Sequence, residues 1–103
     1  MEDNIATVSV IGLGKLGAPM VACFAARGLQ VIGVDVDTAR VAALADGHAP
    51  VCEPGLQEML DASRERITAM ADCEAAVKAS EATFLIEFVT ESNRHSLTPA
   101  GKY

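Results

Sequence analysis

Apolar and polar positions along the chain fall into short blocks whose period changes from block to block. Thr7–Ile11 is a β-branched run, apolar at Val8, Val10 and Ile11, and it stops at Gly12. From Lys15 to Arg27 the spacing turns helical: Leu16, Met20, Cys23 and Phe24 are predicted to form one inward stripe. Pro19 lies near the first turn, where a missing N–H costs least, and Gly28 is the stop. Gln30–Asp35 (QVIGVD) is almost wholly apolar, as expected of a strand covered on both faces in a parallel sheet. Asp37 or Thr38 then caps a helix to about Ala45, with Val41 and Leu44 inward and Gly47 as its stop. After a loop from His48 to Glu53, Pro54 takes the first position of a third helix, with Leu56, Met59 and Leu60 at i, i+3 and i+4. Ile67–Met70 reads as a third strand, Asp72 as the cap of an alanine-rich helix to about Ser80, and Thr83–Val89 (TFLIEFV) as a fourth strand.

The order β-α-β-α-α-β-α-β predicts an α/β fold, a partial doubly wound parallel sheet of about four strands in the order 3-2-1-4. Residues 1–90 are assigned to this domain and the polar stretch 91–103 (ESNRHSLTPAGKY) to a C-terminal tail. A full dinucleotide-binding domain needs further strands beyond Val89, so the domain is expected to be incomplete. Strand four would then be an exposed apolar edge, and such edges pair with other chains, so a homo-oligomer is expected. Glu87 interrupts that strand, and a slipped register or an exposed edge accounts for it better than a catalytic role.

Composition narrows the class of partner. The chain has 103 residues, enough for one domain, and half are hydrophobic, which excludes disorder. A net charge of −6 argues against nucleic acid, whose binding relies on Lys and Arg neutralising phosphates. No apolar stretch is long enough to cross a bilayer, and the acidic start MEDNI lacks the basic region of a signal peptide. No membrane partner is expected, and a cytoplasmic location is. Cys23, Cys52 and Cys73 show no C-x-x-C spacing, so neither a disulfide framework nor a metal site is expected, only small buried or half-buried thiols.

The chemistry concentrates at TVSVIGLGKLG, Thr7 to Gly17. Gly12, Gly14 and Gly17 form G-x-G-x-x-G between a strand and a helix, the context that distinguishes a dinucleotide fingerprint from chance spacing. The first glycine permits the tight turn, the second the approach of pyrophosphate, and the third the close seating of the helix on the sheet. The candidate cofactor-binding residues are therefore the whole loop, Gly12, Leu13, Gly14, Lys15, Leu16 and Gly17. Its free N–H groups and helix dipole suit an anion. Asp35, 23 residues after Gly12, is placed to accept from the adenosine ribose hydroxyls. A carboxylate there repels a 2′-phosphate by roughly 4 kcal/mol per unit charge at about 4 Å, unless a cation intervenes. Arg40 is the nearest such cation, with the alternatives of leaning over the adenine or ribose and of a solvated helix face. The cofactor expected is NAD; FAD uses the same device.

VCEPGL at Val51–Leu56 resembles the Glu-Pro-Gly-Leu element of the UDP-glucose/GDP-mannose dehydrogenase family, and VIGLGKLGAPM and VIGVDVDTARVAAL are similar to its opening βαβ unit. The resemblance spans nearly all of residues 5 to 90. It implies a Rossmann-type NAD-binding domain of an enzyme that oxidises the C6 hydroxyl of a nucleotide sugar to a carboxylate. Two hydride transfers would flank a thiohemiacetal on cysteine. It further implies Gly12, Gly14 and Gly17 at pyrophosphate, Asp35 at ribose, Arg40 on the cofactor side, and Thr90 near the nicotinamide. Lys15 stands where the family has an aromatic residue, and Val89-Thr90-Glu91 where it has Pro-Thr-Pro. The family's nucleophilic cysteine, lysine and substrate domain lie beyond this length, so no catalytic residue is assigned. The chain alone is expected not to turn over, the nucleotide sugar being the partner of the full-length enzyme. Two other readings remain at this point. GAPM after the third glycine resembles the 3-hydroxyisobutyrate and 6-phosphogluconate dehydrogenases, and a non-catalytic nucleotide-binding module would also suit the length.

Overall fold

The computed structural model describes residues 6–86. Its elements are β1 (Thr7–Ile11), α1 (Gly17–Ala26), β2 (Gln30–Val34), α2 (Thr38–Ala45), α3 (Leu56–Ala62), a 3₁₀ turn (Arg64–Arg66), β3 (Ile67–Met70), α4 (Cys73–Lys78) and β4 (Ala82–Leu85). The four strands form one sheet in the order β3-β2-β1-β4, every neighbouring pair parallel. This is the doubly wound, Rossmann-type arrangement that the sequence predicts.

Successive strand residues face opposite sides of the sheet, and the core divides accordingly. One cluster joins Val8, Val10 and Val31 to Leu13, Ala18, Val21, Ala22, Ala25, Leu44, Leu56 and Leu60, drawn from the glycine loop, α1, α2 and α3. The other joins Ile11, Ile32 and Val34 to Ala76 of α4. The chain therefore winds one way through β1, β2 and β3, then reverses to place β4 on the far side of β1. That reversal leaves a topological switch point beyond the carboxyl ends of β1 and β4, where open α/β sheets take their ligands.

α1 differs from its predicted packing. Its buried residues are Gly17, Ala18, Val21, Ala22 and Ala25, whereas Leu16 is exposed, Met20 and Phe24 are half-buried and Cys23 is exposed. The helix lies so close to the sheet that small side chains fill the contact and the larger ones move to its flank. There the Phe24 ring meets Phe84 of β4, with centroids 5.0 Å apart and planes tilted by 38°.

α2 and α4 begin as their sequences direct. Asp37 accepts from the Ala39 N–H at 2.9 Å and Asp72 from the Ala75 N–H at 3.1 Å. α3 begins later than predicted. Pro54 precedes it, inside a turn closed by the Leu56 N–H on the Glu53 carbonyl at 3.2 Å, with Gly55 at φ 81°, ψ −9°. Those are the angles of the third residue of a type II turn, whose second residue favours proline. Glu-Pro-Gly-Leu thus reverses the chain and drops Leu56 and Leu60 into the core, with Met59 left at the surface.

β4 bonds to β1 through a hydroxyl cluster: Ser9, fully buried, lies 2.8 Å from Thr83 Oγ1 and 3.0 Å from Ser80 Oγ. Ser9 and Thr83 are register partners, so the cluster fixes the pairing that aligns the two strand ends. All four residues of β4 are exposed. The predicted continuation to Val89, Glu87 within it, Thr90 and the tail 91–103 lie outside the described residues.

Candidate functional site

The glycine loop, Asp35 and Arg40 gather at the carboxyl ends of β1 and β2. Gly12 leaves β1 with φ 108°, a value that strains any side chain, and its N–H donates to the Val34 carbonyl at 2.7 Å. The loop therefore starts bonded to the end of β2. At its other end, a Cβ on Gly17 would lie 1.6 Å from the Gly12 carbonyl oxygen and 2.8 Å from its carbon. Helix and loop touch backbone to backbone, and only glycine fits.

Between these two glycines the loop turns outward. Leu13 alone points inward, fully buried against Gly33, where an added Cβ would meet its Cδ2 at 3.1 Å and that of Leu44 at 2.6 Å. Lys15 and Leu16 are exposed. The first backbone bonds beyond the turn are Ala18 N–H to Gly14 O at 3.0 Å and Met20 N–H to Leu16 O at 3.3 Å. Among the described residues, the N–H groups of Gly14, Lys15, Leu16 and Gly17 have no acceptor. No side chain caps α1 either. Four adjacent donors at the positive end of a helix, beside a glycine that admits close approach, make an arrangement chemically suited to an anion.

Asp35 follows β2 and is 6% exposed. Its Oδ2 accepts the Leu13 N–H at 2.7 Å and its Oδ1 the Asp37 N–H at 2.8 Å. Arg40 Nη1 lies 3.3 Å from Oδ2, and Arg40 Nε lies 3.8 Å from Asp37 Oδ2. The sequence places Asp35 for the ribose; the structure adds a second duty, tethering the glycine loop to the end of β2. A carboxylate has about four acceptor positions, and the donors of Leu13, Asp37 and Arg40 take up three of them. Arg40 places a cation beside Asp35, so Asp35 does not act as a bare negative charge. The i, i+3 spacing of Asp37 and Arg40 was the available signal for the third member of this set.

The other singled-out groups do not join the site. Cys23 and Cys52 are exposed and Cys73 is intermediate, so the first two are not the buried thiols expected. Among the described residues there is no group of three or more His, Cys, Asp or Glu side chains able to hold a metal ion, and no helix is long and apolar enough to cross a membrane.

The sequence model of the UDP-glucose/GDP-mannose dehydrogenase family, NAD binding domain, matches residues 6–93. The GDP-mannose 6-dehydrogenase of Pseudomonas aeruginosa is 38% identical over 80 residues, 76% of this chain and 18% of that protein. The UDP-glucose 6-dehydrogenase AglM of Haloferax volcanii is 42% identical over 79 residues, with the same coverage of 76% and 18%. In a crystal structure of a ternary complex of GDP-mannose dehydrogenase from P. aeruginosa, the matching part superposes with a TM-score of 0.76 at 32% identity, covering 92% of this chain and 21% of that one. The chain spans about a fifth of the length of the proteins it matches.

Proposed function

The chain belongs to the UDP-glucose/GDP-mannose dehydrogenase family through that family's NAD binding domain, and from this premise we propose that it holds NAD for the oxidation of a nucleotide sugar's C6 hydroxyl to a carboxylate. When bound, NAD supplies the hydride acceptor, used twice for that four-electron oxidation. The chain's own part is to bind and orient. The amides of Gly14 to Gly17 hold the diphosphate, Asp35 accepts from the adenosine ribose, and Arg40 lies beside it. Thr90, in the resemblance a nicotinamide-side residue, belongs to the same reading.

The observation that carries this is the bond from the buried Asp35 carboxylate to the Leu13 N–H at 2.7 Å. It ties ribose reader and diphosphate cradle into one rigid unit, so both ends of an adenosine diphosphate are positioned together. We further infer that these 103 residues do not turn over by themselves. Covalent catalysis needs a nucleophile beside an activating group, and no cysteine among the described residues has a hydrogen-bonded side-chain partner. The same reading includes pairing of the exposed β4 edge with another copy of the chain, which light scattering tests.

Calorimetry with NAD, followed by addition of UDP-glucose or GDP-mannose, checks the main claim. Saturable NAD binding is expected, with no reduced nicotinamide appearing in absorbance. Absence of NAD binding contradicts the cofactor assignment; steady NADH production contradicts the binding-only assignment.

A further inference from the structure

β4 lacks the burial that fixes register elsewhere in the sheet. All four of its residues are exposed, whereas β1 and β2 each bury four of five. A strand without a buried face is weakly held against slipping along its neighbour. What holds β4 is polar. Ser80, at the end of α4, gives its single hydroxyl proton to the Ala76 carbonyl at 2.9 Å. The short contacts of the fully buried Ser9 then form one chain of donors, Thr83 to Ser9 at 2.8 Å and Ser9 to Ser80 at 3.0 Å. A slip of two residues, the smallest that keeps every side chain on its face, would set Leu85 or Glu81 opposite Ser9. Leu85 offers no hydrogen bond, and Glu81 would carry its carboxylate into the interior.

We propose that Ser9 and Thr83 are positioning residues for the far half of the dinucleotide, acting through the register of β4. The link to the ligand rests on the cofactor reading above. There Asp35, after β2, takes the adenosine ribose and the loop after β1 takes the diphosphate. The rest of NAD therefore extends past β1 towards β4. Register decides where β4 ends on that side. Leu85 pairs with Ile11, and the Ile86 N–H donates to the Ile11 carbonyl at 2.9 Å, one residue before Gly12. A slipped β4 would move this end away from the glycine loop, while the diphosphate and adenosine positions, built on β1 and β2, stay as they are.

The test uses the whole chain and three variants. Ser9→Ala and Thr83→Val each remove one hydroxyl at nearly constant shape, and Thr83→Ser keeps it. Hydrogen exchange of the Ile86 amide is expected to quicken by about tenfold in the first two, the size of one lost hydrogen bond. The Gly12 amide, bonded to Val34 on the other side of β1, is expected to exchange as before in all three. In calorimetry, NAD affinity is expected to fall by about three- to tenfold in Ser9→Ala and Thr83→Val with ADP affinity unchanged. Thr83→Ser should match the unmodified chain in both measurements. Unaltered Ile86 exchange in Ser9→Ala overturns the register claim. An unmodified chain that binds NAD no more tightly than ADP, or variants that lose both affinities alike, overturns the positioning role alone. Failure of the unmodified chain to bind either ligand overturns the cofactor reading and the positioning role together, with exchange still deciding the register claim.

Discussion

Gly17→Ala is expected to lower the stability of the chain by about 3 kcal/mol or more and to abolish measurable NAD binding. Two effects compete. Replacing a glycine by alanine in a helix ordinarily gains about 1 kcal/mol. Here the new methyl would sit 1.6 Å from the Gly12 carbonyl oxygen, far inside any van der Waals contact, and the atom it meets is backbone. Gly12 cannot yield easily, because its N–H is bonded to Val34 and its φ of 108° is already in glycine's territory. The overlap wins, so α1 must lift from the loop. Lifting it separates the amides of residues 14 to 17 and uncovers Val21, Ala22 and Ala25. Since a domain of this size holds only about 5–15 kcal/mol in total, the loss should be visible in urea as an earlier midpoint. An unchanged midpoint with NAD affinity retained would show that loop and helix are not in the contact described.

Asp35→Ala is expected to cost about 2–4 kcal/mol, with NAD affinity falling by about tenfold or more. The substitution leaves the buried Leu13 N–H without its 2.7 Å acceptor, removes the acceptor of the Asp37 N–H, and leaves Arg40 beside an apolar methyl. A hydrogen bond to a charged group contributes about 1.5–3 kcal/mol, and an orphaned buried donor costs about 1–3 kcal/mol. Both terms act on the tether itself, so the effect exceeds that expected of a residue that only touches ribose. The gap between NAD and NADP should narrow at the same time, because the hydroxyl acceptor is gone and the guanidinium remains. Hydrogen exchange of the Leu13 amide gives an independent readout, with faster exchange expected in the variant. A fully stable Asp35→Ala chain with slow Leu13 exchange would remove the tether.

Most of the architecture was legible because it rests on local rules. β1 and β3 and the caps of α2 and α4 follow from strand periodicity, β-branched runs and Asp at helix starts. The strand order followed from the handedness of parallel crossovers. The inward face of α1 was not legible, since hydrophobic spacing selects the largest apolar residues, whereas a helix seated against a glycine loop buries its smallest. Hydrophobic spacing for that reason points Leu16, Met20, Cys23 and Phe24 inward, whereas the structure leaves Leu16 and Cys23 exposed and Met20 and Phe24 half-buried. Pro54 misled in a related way. Proline suits both the first residue of a helix and the second of a type II turn, and only the φ of Gly55 decides between them. At the site, the glycines and Asp35 were readable from spacing. The Leu13–Asp35 bond was not, because it joins residues 22 apart in sequence through a backbone donor that any residue type would provide.

The central claim is that unpaired amides at the start of α1 grip a diphosphate, and backbone amide NMR during titration with NAD tests it most directly. The account predicts that the N–H signals of Gly14, Lys15, Leu16 and Gly17 move furthest and saturate together, with those of Leu13 and Asp37 following through Asp35. Saturation with these four signals unmoved, and with the largest shifts instead in the Ala49–Gln57 turn region, would contradict it.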